Sequence, residues 1–357
     1  MDKIRENIKD LSKAELAARL KKMAAEPYRA NQIFRHLYIT GVKSFDGMTD
    51  MPEALRKRLK EEFRITHPAM ADSRRSSLDG TTKYLLKLDD GNTIETVFLP
   101  DGNRATACLS SQVGCKYGCS FCASAGLGFI RNLAQSEILD EVIFLREKNP
   151  DPPITNLVFM GIGEPMDNFD NVMSSIRVFN DKVAFNIGAR RMTISTCGII
   201  PGIERLKGEG LQVELSVSLH SADDSVRSKL VPVNKKYPLK DLMRACVDYI
   251  EKTGRVITFE YVLIKDVNSS AQDALSLAKL LKGVKCKVNT ISHNRTAAGI
   301  GQPSGREAKD FVNILKQNGI NATHRKSRGE DIDAGCGQLR ISTLHLQRKD
   351  KQGEEGA

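Results

Sequence analysis

The sequence has no run of about 20 apolar residues, the length a helix needs to cross a bilayer, so no membrane partner is expected. Its first residues, MDKIRENIKDLSKAELAARLKKM, are charged throughout and lack the apolar core of a signal peptide. Together these absences lead us to expect a cytoplasmic protein. In that compartment thiols stay reduced, so the eight cysteines are not a structural disulfide framework and clustered ones point to metal binding or catalysis. Histidine is scarce as well: none lies between His67 and His220, which removes the usual partner of cysteine in a closed zinc site near the middle of the chain. Acidic residues are outnumbered, 44 against 54 Lys+Arg, and the resulting net charge of +10 favours a polyanionic partner such as nucleic acid.

Residues 1–70 read as a small basic helical domain, because SKAELAARLKKM, YRANQIFRHLYITG and PEALRKRLKEEF space their apolar residues by three and four. Residues 71–104 read as a linking β-hairpin centred on Asp90-Gly91. From 105 to 345 strands alternate with helices. The strands are ATACLSS, ITNLVFMG, RMTIST, QVELSVSLH, RVITFEYVLI and CKVNTIS, and capping boxes at Ser270/Asp273 and Ser304/Glu307 mark two helix starts. About six βα units in succession imply an α/β fold with a parallel sheet, open or curled into part of a barrel, and a site at the carboxyl ends of its strands. Residues 346–357 read as a disordered tail.

SQVGCKYGCSFCAS places Cys115, Cys119 and Cys122 on one short loop after the first of these strands. A structural zinc ion needs four closed ligands, whereas three thiolates on a four-iron cube leave one iron open. The open cluster is the better reading, with a zinc-stabilised RNA-binding protein as the alternative. The C-x-x-x-C-x-x-C run, with Phe121 before its last cysteine, resembles the radical S-adenosylmethionine (SAM) superfamily. That resemblance implies a partial (β/α)6 barrel and a [4Fe-4S] cluster whose free iron chelates SAM and cleaves it to a 5'-deoxyadenosyl radical.

Other strand ends carry polar groups suited to a ligand. In FMGIGEPMDN, glycines admit close backbone approach and Glu164 can accept hydrogen bonds, although alone the segment reads as a tight turn. The resemblance implies that Gly163 and Glu164 meet the SAM amino group. Ser195 in TISTCG, Ser218, Leu219 and His220 in SVSLHSADD, and Asn294 in ISHNRT complete the expected cofactor contacts. Without a family they are ordinary strand-end residues, and His220 is a core histidine. Cys336 stands between Gly335 and Gly337, and Cys108 lies on the strand leading to the cluster; Cys197, Cys246 and Cys286 read as small core residues.

IETV, CLSSQVGC, GEPMDN, SLHS, VPVNKKYP and GEDIDAGCGQL, in that order, resemble the RlmN/Cfr family of RNA methyltransferases from the amino-terminal helices to about residue 345. Pro165 after the Gly-Glu pair points to the branch that methylates adenine carbon 2, with Cfr-like carbon 8 methylation as the alternative. The resemblance implies two SAM molecules per turnover: one methylates Cys336, and the other is the radical source that lets the methyl carbon add to the base. It further implies Glu95 as the acceptor of the carbon 2 proton, a step for which Cys108 is the alternative, and Cys108 as the thiol that releases the product through a transient disulfide with Cys336. The implied partners are 23S rRNA near the peptidyl transferase centre, for some members the adenine beside the tRNA anticodon, and a flavodoxin-type electron donor. Arg29, Arg35, Arg56, Lys57 and Arg58 are candidate phosphate contacts.

Overall fold

The computed structural model describes residues 5–292, 301–325 and 327–332. At the amino-terminal end, helices α1 (Lys13–Lys22), α2 (Arg29–Arg35) and α3 (Glu53–Glu62) bury Leu16, Leu20, Ile33, Phe34 and Leu59 against one another. Helix α1 starts at a capping box in which Ser12 and Glu15 each accept the other's backbone N–H. A parallel pairing of Glu6–Asn7 with Phe63–Arg64 closes this unit.

Lys9 fastens it to the rest of the chain. Its ammonium is buried and ion-paired with Asp140, and it also donates to the carbonyl of Thr66. Burial pushes the Asp140 carboxyl up to about 6 although Lys9 opposes the shift. Truncating one member of a buried pair strands the other charge. Asp140→Ala is therefore expected to cost about 3–5 kcal/mol, checked by urea unfolding.

Ten strands then form one sheet in chain order: β1 (Ala69–Arg75), β2 (Thr82–Lys87), β3 (Thr93–Asp101), β4 (Arg104–Cys108), β5 (Ile154–Phe159), β6 (Met192–Thr196), β7 (Glu214–Ser218), β8 (Ile257–Leu263), β9 (Cys286–Ser292) and β10 (Ala322–Arg325). Pairings β1 to β4 are antiparallel and all later ones parallel. The six expected strands are present, with a seventh parallel one, β10. Its sequence, ATHR, buries only Ala322 and so gives no apolar signal. The hairpin around Asp90-Gly91 is also present, with Gly91 at φ +83°, but it is an integral flank of the main sheet, because β3 hydrogen-bonds to β4.

Between parallel strands lie α4 (Gln135–Lys148), α5 (Phe169–Asn180), α6 (Ile200–Leu206), α7 (Asp224–Leu230), α8 (Leu239–Thr253), α9 (Ala271–Leu280) and α10 (Gly305–Gln317). Capping boxes at Ser270/Asp273 and Ser304/Glu307 start α9 and α10 as expected. Side chains alternate across a strand, so registered neighbours share a face. One face carries Leu157, Phe159, Ile194, Leu215, Val217, Phe259, Tyr261 and Val288, all buried in the core with the helices. The opposite face is polar. One row of it reads Val97, Cys108, Val158, Thr193, Glu214, and another reads Ser218, Glu260, Asn289, Thr323. Among the described residues, no helix is long and apolar enough to cross a membrane.

Candidate active site

The three cysteines lie on a loop closed at its base by a short antiparallel pairing of Gln112–Gly114 with Phe129–Asn132. Gly114 is required there: at φ +76°, a Cβ would sit 1.7 Å from the Gly128 carbonyl oxygen. The Cys115 N–H donates to that carbonyl at 2.9 Å, and the Ser120 N–H donates to the carbonyl of Leu230 in α7 at 3.0 Å. Both the base and the tip of the loop are thus fixed. Cys115, Cys119 and Cys122 are half-buried, and the thiols act on one another electrostatically. Burial pushes Cys115 up to about 11 and Cys119 up to about 12, so ligation must displace protons from them.

Among the described residues, no three His, Cys, Asp or Glu side chains are grouped to hold a single metal ion. A four-iron cube makes a different demand, since each thiolate binds its own iron and the sulfurs need not converge on one point. Three thiols on one anchored loop are a donor set that fits such a cluster.

The Gly-Glu segment after β5 docks on the base of this loop. Gln112 accepts the Glu164 N–H at 2.9 Å and donates to Asn132 at 2.8 Å. Gly163, at φ +106°, leaves room for that contact, since a Cβ would come within 2.6 Å of the Gln112 side chain. Glu164 is buried, and its two carboxylate oxygens accept the N–H groups of Met166 at 3.0 Å and Cys197 at 2.8 Å. It therefore braces the ends of β5 and β6. The side chains of Thr196 and Cys197 also hydrogen-bond this carboxylate.

Ser195 and Ser218 are half-buried at the carboxyl ends of β6 and β7 on the polar face. Leu219 differs in kind: its side chain is fully buried, and its carbonyl accepts from Ser221 and Arg227. His220 is held at φ +59° with Nδ1 accepting the Val262 N–H at 3.0 Å, which places the ring proton on Nε2. Nε2 is buried without a partner, and the ring meets that of Phe121 edge-on at 4.4 Å. Burial holds His220 down to about 3, so it is neutral at pH 7 with a donor beside the cysteine loop. Cys197 is half-buried near that loop and hydrogen-bonded to Glu164, so it does more than fill core space.

Glu95 and Cys108 share the polar face. Val97 pairs with Cys108, and Glu95 is two residues along the same strand. Glu95 is buried, whereas its sequence position alone reads as a solvent-facing strand residue. The alternate residue Thr96 points to the helix side, where it bonds the carboxyl of Glu141 in α4. The Ser110 hydroxyl donates to the Glu95 carbonyl at 2.6 Å, Thr96 donates to the Cys108 carbonyl at 3.0 Å, and Glu141 accepts the Ser110 N–H at 3.0 Å. Both backbones are thereby fixed around a carboxyl whose proton affinity burial raises. Cys336 and Asn294 lie outside the described residues.

Sequence reasoning missed Arg227, which is fully buried beside the site, and the rim formed by Lys116 over the rings of Tyr117 and exposed Phe129. Of the basic helical residues, Arg56 and Arg58 donate to the carbonyls of Asp46 and Met23, and Lys57 pairs with Glu53. Arg35 is exposed, and Arg29 lies over the Tyr28 ring at 5.0 Å.

A parallel βα sheet with a three-cysteine loop after its first parallel strand defines the radical SAM class. The family model for the radical SAM superfamily matches residues 109–278, and that for the ribosomal RNA large subunit methyltransferase N-terminal domain matches residues 6–65. A crystal structure of a radical SAM methyltransferase from Sphaerobacter thermophilus is 43% identical, with a TM-score of 0.87 over 93% of this chain and 98% of that one. The probable dual-specificity RNA methyltransferase RlmN of Thermotoga neapolitana is 45% identical over 94% of this chain and 97% of its own length. Its namesake in Clostridioides difficile is 44% identical over 95% and 99%. The chain belongs to the RlmN family of radical SAM RNA methyltransferases and is a SAM-dependent enzyme. Membership in an enzyme family sets aside the zinc-stabilised binding protein.

Proposed function

We propose that this enzyme methylates carbon 2 of a specific adenine in 23S rRNA, and the adenine beside the tRNA anticodon, through a methylated Cys336. The observation that carries the reading is the placement of Glu95 and Cys108 on one polar face, with Cys108 ending the strand that leads into the cysteine loop. Cys115, Cys119 and Cys122 would hold the [4Fe-4S] cluster, and Gly163, Glu164, Ser195, Ser218, Leu219, His220 and Asn294 would surround SAM. When bound, the two supply methyl groups and the one-electron chemistry that an electron-poor sp2 carbon demands.

The chain's own residues do the rest. Cys336, as thiolate, accepts a methyl group and presents its carbon to the base; as the new C–C bond forms, one methyl hydrogen atom and the unpaired electron left on the adduct would pass to the bound cofactors, so the RNA becomes tethered through sulfur. Glu95 takes the carbon 2 proton. Cys108 then attacks the Cys336 sulfur, forming an S–S bond as the C–S bond breaks. The electron pair leaves with the methylene carbon, which takes a proton to complete the methyl group. A thiol reductant resets the disulfide, and a flavodoxin-type protein supplies the electron for the cluster. The target adenine must be splayed from its stack, and the rim of Tyr117, Phe129 and Lys116 suits an unstacked base.

Anaerobically reconstituted enzyme given methyl-labelled SAM and an unmodified 23S rRNA fragment is expected to yield 2-methyladenosine and label on the Cys336 peptide, read by mass spectrometry. Product at carbon 8 would move the protein to the Cfr branch, against Pro165. Methylated RNA from a Cys336→Ala protein would refute the cysteine intermediate.

A further inference from the structure

Arg227 in α7 is among the most deeply buried side chains of the protein. Its guanidinium donates to the carbonyls of Leu219 at 3.1 Å, Ser218 at 3.0 Å and Cys197 at 2.8 Å, and to the amide oxygen of Asn234 at 2.5 Å. All four acceptors are neutral, and among the described residues Arg227 makes no ion pair. Exposed Asp224 acts on it electrostatically and is bridged to it by Asn234, whose amide donates to the Asp224 carboxylate at 3.0 Å. A buried cation without a counter-ion is costly, and such charges are ordinarily paired.

The geometry says where the missing anion belongs. Leu230, one turn further along α7, accepts the N–H of Ser120, which directly follows Cys119. Cys197, whose carbonyl Arg227 holds, is braced by Glu164 at the base of the same loop. Gly198 keeps this corner open, because a Cβ there would lie 3.1 Å from the guanidinium. Independently, Arg227 acts electrostatically on the Cys119 and Cys197 thiols.

Resting on the cluster reading of Cys115, Cys119 and Cys122, we infer that Arg227 is the fixed counter-charge of the cluster. It ties the ends of β6 and β7 together and makes one-electron reduction at the loop easier. Reduction adds one negative charge, which a nearby cation in a medium of low dielectric stabilises. The residue touches neither substrate nor SAM in this role; it acts through the thiolate loop.

The test is a midpoint-potential titration with dithionite, followed by EPR on reconstituted full-length protein. Iron and sulfide content are measured in parallel. Arg227→Gln is expected to lower the constant for cluster reduction at least tenfold, about 59 mV for one electron. Arg227→Lys, which keeps the charge while losing carbonyl bonds, is expected to stay close to wild type. Should Arg227→Gln fail to hold a cluster, Cys246→Asp decides: Cys246 is buried on α8 within electrostatic reach of Arg227, so the new carboxylate neutralises the guanidinium without removing it. Its potential is expected to fall while that of Cys246→Ser does not. An unchanged potential in a fully loaded Arg227→Gln or Cys246→Asp protein would overturn the inference, as would an equal drop in Arg227→Lys. Wild type that takes up no four-iron cluster would instead refute the reading of the cysteine loop.

Discussion

Glu95→Gln is expected to slow formation of free methylated RNA by about 10²–10⁴-fold, the usual contribution of a positioned general base. The carboxamide has nearly the same shape, and the bond holding this strand position runs from Ser110 to the backbone carbonyl, so the substitution leaves that anchor intact. Cluster content, SAM binding and methylation of Cys336 are expected to stay near wild type. The defect then falls after the base has been attached to sulfur. With RNA carrying deuterium at carbon 2 of the target adenine, tethered RNA is expected to accumulate with its deuterium retained. Free product at the wild-type rate would remove Glu95 from the mechanism.

The helical unit, the six βα strands and the cysteine loop were legible because each writes a local pattern. Spacing by three and four marks α1 to α3, short apolar runs mark β4 to β9, and Gly91 beside Asp90 marks the hairpin turn. What the sequence hid depends on partners distant along the chain. The burial of Glu95 requires β3 to pair with β4, which no alternation within β3 announces. Arg227 is one of 54 Lys and Arg residues in the chain and carries no local signal, and only the meeting of Cys197, Ser218 and Leu219 around it shows a buried charge. His220 was named as a ligand contact from its motif. Its tautomer, and its unpartnered Nε2, follow from the amide of Val262 two strands' worth of sequence away. The strand β10 stayed hidden for the opposite reason: four residues with one buried alanine carry no pattern to read.

Cys108→Ala is expected to stop turnover after one round and leave RNA covalently bound to Cys336. The substitution removes only the thiol. Thr96 still donates to the carbonyl of residue 108, and β4 keeps its register with β3 and β5, so the fold and the first methyl transfer are expected to survive. Without a second sulfur no S–S bond can form as the C–S bond breaks, and the tether has no route to release. Denaturing gel electrophoresis would show a protein band shifted by the RNA fragment, and nuclease digestion followed by mass spectrometry would place the adduct on Cys336. Deuterium at carbon 2 separates the two roles open to Cys108. With Glu95 as the base, the adduct trapped by Cys108→Ala has already lost its deuterium, whereas the Glu95→Gln adduct keeps it. Retention in Cys108→Ala would assign proton removal to Cys108, and free 2-methyladenosine over many turnovers would exclude it as the resolving thiol.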